Sequence, residues 1–316
     1  MINAKFMIEV NDLSFAYKSQ KIISKVCFSI EKGDFFCLIG PNGTGKSTLI
    51  KILCGFLPYQ EGSIKIKGTE LKLLKENLLN LVGILPDNFS VPGDFTVYEL
   101  FMFCAQALGY STLEAKKKSE QLINTFDLNA HKNKLIKNLS SGLRRRVEIA
   151  QTLINDCEVV ILDEPTNALD PKSSEDIKML IKTLNLRGKT IVYVTHLLNE
   201  IEDLYTKVGI LYNSQLKLFS KDELRSHNEN EVFISFSTQE DLKIGIEFLT
   251  ANNIDYEVKS FGIIKTKNKD YQCDIFKLLN ELNKIVNKPV TFSLGKIDVA
   301  TLYNSLLIWE KGGKSN

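Results

Sequence analysis

At 316 residues, with a formal net charge of +2 and 44% hydrophobic residues, the chain has the balance of a water-soluble globular protein with room for a core domain and a smaller one. The charge is too small to argue for a nucleic-acid partner or for strong attraction to a membrane surface. No apolar run approaches bilayer-spanning length, since Val97–Leu108 is short and amphipathic, and Met1–Val10 alternates like a strand and not like a signal peptide.

In chain order, residues 1 to about 85 read as short strands around one loop, with hairpin-like alternation at Ser63–Lys67. The apolar run Asp34–Ile39 reads as a buried strand and Thr48–Leu57 as a helix. Between them lies Gly40-Pro41-Asn42-Gly43-Thr44-Gly45-Lys46-Ser47-Thr48. Glycines at this spacing let the backbone curl so that its N–H groups point inward at phosphate oxygens, above the positive end of the helix. Lys46 supplies a cation for the β- and γ-phosphates, and the Ser47 hydroxyl can ligate Mg²⁺. Gly40, Asn42, Gly43, Thr44, Gly45, Lys46, Ser47 and Thr48 are therefore the nucleotide-binding candidates.

From Asp87 to about Leu153 the pattern is helical, with candidate helices at Thr96–Leu108 and Thr112–Phe126. A third follows over Arg144–Ile154, with Ser140 or Ser141 as its N-cap. Strands and helices then alternate from Glu158 to Leu218: Val159–Leu162, a helix over Ser173–Leu184, Thr190–Thr195, a helix over Leu198–Leu204, and Lys207–Tyr212. Such alternation implies a parallel sheet with right-handed crossovers. The strand Val159–Leu162 delivers two adjacent carboxylates. Asp163 can hold a metal, and Glu164 can orient and deprotonate an attacking water. Loop and carboxylates would meet at the carboxyl edge of the sheet.

Ser220–Glu231 is polar and reads as a linker. Beyond it the order is strand (Val232–Phe236), helix (Gln239–Ala251), strand (Ile254–Lys259), strand (Gly262–Lys267), helix (Asp274–Val286) and strand (Pro289–Leu294), with a last helix over Val299–Lys311. That is the ferredoxin-like order, so the expectation is a small α+β domain over 232–316. Six cysteines without a CxxC pair, mostly within apolar patterns, read as buried free thiols in a reducing compartment.

With Leu139-Ser140-Ser141-Gly142-Leu143 placed shortly before Asp163-Glu164, the chain resembles the ATP-binding subunits of ABC transporters. Their signature is Leu-Ser-Gly-Gly-Gln followed by a basic helix. Ser140 and Gly142 match, while Ser141 replaces a glycine and Leu143 a glutamine. In that family this helix start binds the γ-phosphate of an ATP held by the other subunit, as a helix N-terminus can. The resemblance further implies that Tyr17 stacks on adenine, that Ala168-Leu169-Asp170 is the loop crossing the dimer interface, and that His196 contacts the γ-phosphate. After Val82–Pro86 the family carries a glutamine, where this chain has Asp87. An aspartate is shorter and charged, yet can still ligate Mg²⁺.

The resemblance covers roughly Phe6–Phe219 and implies an α/β P-loop NTPase of ABC type over 1–220, with a helical subdomain at about 87–153 and a linker at 221–231. It implies a Mg²⁺-dependent ATPase that pairs with a second copy or a homologous ATPase subunit. It also implies a separate transmembrane permease that holds the chain on the cytoplasmic face, and no nucleic-acid partner. Subunits of the multidrug, antibiotic and sodium export type carry a similar short extension. Two alternatives stay open: a non-transport ABC ATPase, and a low-turnover ATP-binding regulatory module. The single phosphate loop and lack of heptads weigh against the first, and the Asp163-Glu164 pair against the second.

Overall fold

Two long strands open the chain in the computed structural model, which describes residues 5–74, 77–87, 89–196, 204–224, 231–259, 262–267, 275–294 and 303. Strands β1 (Phe6–Tyr17) and β2 (Gln20–Glu31) pair antiparallel, joined by a tight turn at Lys18-Ser19. The sequence leads one to expect short strands here. Twelve-residue strands form instead because bulges along β1 let apolar residues keep returning to the buried face. β3 (Phe35–Ile39) and helix α1 (Lys46–Leu53) follow, then β4 (Glu61–Ile66) and β5 (Thr69–Glu70), which complete a four-stranded sheet ordered β2-β1-β4-β5.

Helix α1 starts two residues earlier than its apolar pattern and stops at Leu53. Gly55, with φ 71°, lets its own N–H reach Ile52 O and the Phe56 N–H reach Lys51 O, which closes the helix. Two four-residue helices, α2 (Leu71–Leu74) and α3 (Leu78–Leu81), are missing from the sequence reading. They form where Leu71, Leu74 and Leu78 recur at helical spacing and are buried.

β6 (Val82–Leu85) precedes the helical stretch of α4 (Val97–Ala107), α5 (Thr112–Thr125) and α6 (Ser141–Thr152). Thr96 with Glu99 and Ser111 with Glu114 form capping boxes, which satisfy the first free N–H groups of α4 and α5. Ser140 caps α6 by accepting the Leu143 N–H at 3.3 Å. Then come β7 (Val159–Asp163), α7 (Pro171–Leu186), β8 (Thr190–Thr195), β9 (Lys207–Tyr212) and β10 (Gln215–Ser220). The last two are joined by Asn213-Ser214, both at positive φ, as a two-residue hairpin requires. The expected helix at Leu198–Leu204 lies outside the described residues apart from its last position.

The second sheet runs β10-β9-β3-β8-β7-β6, with β6, β7, β8, β3 and β9 parallel. β3, β7 and β8 are buried along their whole length, as parallel strands covered on both faces must be. One hydrophobic core joins the two sheets through α1: Leu49, Ile50 and Leu53 lie in one cluster with Ile8, Val10 and Ile64 of the antiparallel sheet and Leu38, Ile161 and Val194 of the parallel one. Each such side chain contributes about 1.5–3 kcal/mol by leaving water.

The amino edge of the parallel sheet is stitched by side chains. Asn185 Nδ2 donates to Gly33 O at 2.8 Å and Lys189 O at 2.9 Å, and Lys189 Nζ donates to Asp156 Oδ1 at 2.6 Å and Cys157 O at 2.8 Å. The Thr190 hydroxyl accepts the Gly33 N–H, and the Thr206 hydroxyl accepts the Phe35 N–H, each at 3.0 Å.

The chain divides into two units, Met1–Leu218 and Phe219–Asn316. Four residues of the expected linker are helical: α8 (Lys221–Leu224) is capped by Ser220 with Glu223, and Leu224 is only 2% exposed. That one buried leucine anchors a turn that composition alone marks as loop. Residues 225–230 lie outside the described residues. The second unit contains β11 (Glu231–Ser235), α9 (Gln239–Ala251), β12 (Tyr256–Val258), β13 (Ile263–Lys267), α10 (Ile275–Ile285) and β14 (Thr291–Leu294). Its sheet is ordered β12-β13-β11-β14 with every neighbouring pair antiparallel, and its core is built on Val232, Ile234, Phe236, Leu249, Ile264 and Leu282. The buried Asp241 carboxylate accepts from Thr238 Oγ1 at 2.7 Å and the Asn287 N–H at 2.6 Å, pinning the start of α9 to the segment after α10. The expected last helix, Val299–Lys311, lies outside the described residues apart from Tyr303. Among the described cysteines, Cys37, Cys54 and Cys157 are buried free thiols, but Cys27 is exposed.

Candidate active site

Strand pairing brings the expected site residues to one edge. Ile39 of β3 lies opposite Thr195 of β8, Asp163 of β7 lies opposite Val194, and Leu85 of β6 lies opposite Leu162. The residues that follow these strands therefore emerge together at the carboxyl edge: the loop from Gly40, Asp87, Glu164 and His196.

Two loop glycines are demanded by packing. A Cβ at Gly40 would stand 2.4 Å from Leu211 O, and one at Gly45 would stand 2.6 Å from Ile22 Cγ2. Gly45 also takes φ 104°, where other residues are strained, and from it α1 begins. Thr44 Oγ1 donates to Pro41 O at 2.9 Å and closes the turn. Lys46, 7% exposed, folds back so that Nζ donates to Gly40 O at 2.7 Å and Pro41 O at 3.1 Å. Burial lowers its affinity for a proton, and the Glu164 and Asp163 charges oppose that effect.

Asn42, Gly43, Gly45, Lys46, Ser47, Thr48, Asp87, Asp163 and Glu164 line one cavity of about 220 Å³, together with Ile22. Burial pushes the Asp163 carboxyl up to about 6, and the Asp87 and Glu164 charges push the same way, against Lys46 and the Ser47 hydroxyl. Among the described residues, no group of three or more His, Cys, Asp or Glu side chains is arranged to hold a metal ion alone. A Ser hydroxyl and two aspartates on one cavity instead suit Mg²⁺, which binds one or two carboxylates and takes its remaining oxygens from phosphate and water.

Glu164 occupies the left-handed region (φ 50°) just past β7, and its N–H donates to Val194 O at 2.9 Å. Its side chain is held from two sides. Oε1 lies 2.7 Å from His196 Nδ1, and Oε2 accepts the Thr195 hydroxyl at 3.4 Å. An ionised carboxylate only accepts, so the first contact places a proton on Nδ1. Beneath the following turn, Thr166 Oγ1 and Tyr193 Oη lie 3.2 Å apart in the buried interior.

Other expected site residues lie apart from this cavity. Ser140 and Gly142 border a second, smaller cavity with Leu143, Arg146 and Ser173, and Ser141 is the exposed first residue of α6. Asp170 caps α7, accepting the Ser173 N–H at 3.0 Å. Tyr17, 45% exposed at the end of β1, packs edge-on against Phe15 at 4.8 Å and does not line the cavity. Sequence reasoning missed Ile22 and Thr195. Thr195 carried a signal, a hydroxyl at the end of an otherwise apolar strand and next to His196. Ile22 carried none, because its role depends on β2 crossing under Gly45.

A match to the ABC transporter family covers residues 23–167. The chain is 38% identical over 216 residues to an energy-coupling factor transporter ATP-binding protein of Fusobacterium nucleatum, covering 67% of this chain and 81% of that protein. The chain belongs to the ABC transporter family. It is an ATP-binding subunit of an ABC transporter, hydrolysing ATP for transport. This subunit is also 31% identical to a bacitracin transport ATP-binding protein of Bacillus licheniformis over 264 residues, covering 82% of this chain and 84% of that one. Those 264 residues exceed the 218 of the first unit, so the likeness continues into the second. Among solved structures, a dimeric bacterial ABC transporter cassette aligns with a TM-score of 0.60 and 26% identity, over 68% of this subunit and 98% of that one.

Proposed function

We propose that this subunit powers an export-type ABC transporter as one of two identical copies, held on the cytoplasmic face of a membrane by a separate permease chain. The observation that carries the reading is the convergence of Lys46, Ser47, Asp87, Asp163 and Glu164 on one cavity at the carboxyl edge of a parallel sheet. The loop N–H groups and the start of α1 receive the triphosphate, and Lys46 exchanges its carbonyl partners for the β- and γ-phosphates. Ser47, Asp163 and Asp87 are the residues for Mg²⁺, which when bound neutralises phosphate charge.

Glu164 takes a proton from the attacking water, with His196 and Thr195 fixing the direction of its carboxylate. Tyr17 offers its exposed ring to adenine. Ser140, Ser141 and Gly142 complete the site of the opposite copy, and Asp170 lies at the crossing between copies. A dimeric cassette among similar structures supports the pairing. No helix among the described residues is long and apolar enough to cross a membrane, which fits a pore on another chain.

The ATPase domain is read as 1–220, with the helical subdomain at about 87–153. The second unit is read as a ferredoxin-like accessory domain over 232–316, supported by its strand-helix-strand-strand-helix-strand order and the sheet order β12-β13-β11-β14. A 30% identity over 204 residues to a Nod factor export ATP-binding protein of Rhizobium etli supports export.

The test is Glu164→Gln. It keeps the shape but cannot accept a proton, so turnover should collapse while ATP binding persists, and the ATP-bound dimer should accumulate on gel filtration with Mg²⁺. A monomer with unchanged turnover removes Glu164 as the base.

A further inference from the structure

Helices α6 and α7 begin against each other. Gly142 is the second residue of α6 and Ser173 the third of α7, and both border the same cavity of about 100 Å³. A Cβ at Gly142 would stand 2.7 Å from Ser173 Oγ and 2.9 Å from Ser173 Cβ, while the next nearest atom, Ser173 Cα, is at 3.7 Å. The obstacle is thus one side chain.

The residue that carries it is already engaged. Its backbone N–H donates to the Asp170 carboxylate at 3.0 Å, and the nearby Ser173 side chain and N–H hold that carboxyl below the usual carboxylate range. Oγ could rotate away from a larger residue at 142, but the Ser173 Cβ cannot, so the strain passes to the backbone whose N–H holds Asp170. Gly142 therefore answers to a demand from within its own chain, before any phosphate approaches.

We propose that Ser173 is a positioning residue that sets the spacing between the start of α6 and the Asp170 turn. The proposal rests on the reading that both act across the dimer interface. Through Ser173, a pull on the start of α6 from the phosphate of the opposite copy reaches Asp170, and with it the turn that leads back to Glu164. The two surfaces a subunit offers its partner then close as one body.

The experiment uses the full chain with Gly142→Ala, Ser173→Ala, Ser173→Gly and the two double variants. Gly142→Ala should cut kcat about 10-fold or more, because a displacement near 1 Å misplaces groups that act across an interface. KM and the affinity for a fluorescent ATP analogue should stay near wild type, and the melting temperature should fall by a few degrees at most, with the chain folded at the assay temperature. Adding Ser173→Ala removes the 2.7 Å contact but leaves the one at 2.9 Å, so it should restore part of the loss. Adding Ser173→Gly removes both and should restore most of it, a non-additive rescue. A double variant that folds, binds nucleotide and stays as inactive as Gly142→Ala overturns the proposal. If Gly142→Ala alone leaves turnover unchanged, the reading that the α6 start acts in trans fails first, and the proposal falls with it.

Discussion

Replacing Asp163 with asparagine should make the metal-free protein more stable at pH 8, although it removes a residue assigned to Mg²⁺. The native carboxyl is pushed from 3.8 to about 6 and the residue is only 5% exposed, so little solvent screening intervenes. A shift of about two units at ~1.36 kcal/mol each gives a destabilisation of about 3 kcal/mol when the group is ionised. The folded state holds this proton more tightly than the unfolded chain. Stability is therefore unimpaired below the unfolded value, falls as pH rises from about 4 to about 6, and stays reduced above that. The asparagine variant never acquires the charge. Its advantage should be about 3 kcal/mol at pH 8, about half that at pH 5 and close to nothing below pH 4. For a unit of this size that corresponds to roughly 6–12 °C in melting temperature at pH 8. Differential scanning calorimetry in EDTA across this range is the assay. A variant no more stable than wild type at pH 8, or an advantage that grows as pH falls, refutes the electrostatic reasoning.

Lys46→Ala should reduce ATP affinity by at least about 100-fold in a nucleotide titration, since the charge facing the phosphates is lost from a buried site. Asp87→Ala should lower turnover with little change in ATP affinity, whereas Asp87→Gln, which keeps an oxygen ligand, should retain much of it; steady-state ATPase rates distinguish the two. Removing the Asp87 charge should also let Asp163 ionise at lower pH in the metal-free protein, read as a lower carboxyl titration midpoint by NMR in EDTA. Gly45→Ala should destabilise the fold by about 1–3 kcal/mol through contact with Ile22, read as a lower denaturation midpoint. Truncation after Ser220, where β10 ends, should leave a folded ATPase; loss of ATP binding itself would place the second unit within the catalytic core.

The carboxyl edge was legible because its residues sit at fixed offsets from apolar runs. Phe35–Ile39, Val159–Asp163 and Thr190–Thr195 are short and unbroken, and each hands over to a loop whose chemistry is local. The described strands and helices of the second unit were readable for a related reason, since they change period cleanly and α9 matches its pattern at both ends. Less legible were features fixed by distant partners. The length of β1 and β2 depends on bulges whose value appears only once β4 pairs beside them. The turn of α8 depends on Leu224 finding a buried site. The need for glycine at 142 depends on Ser173, thirty-one positions away, which no local periodicity can reveal.

The side-chain stitching at the amino edge of the parallel sheet has a mechanical consequence. Asn185, Lys189, Thr190 and Thr206 clamp the strand beginnings to one another, while the strand ends carry the loops that line the nucleotide site. A sheet clamped this way should behave as a cantilever, deflecting less at its amino edge than at its carboxyl edge. Amide hydrogen exchange should record the asymmetry as a gradient along β3 and β8, slowest near Phe35 and Ile191 and fastest near Ile39 and Thr195. Nucleotide arrival would then slow exchange at the free end alone, with no change required at the fixed one.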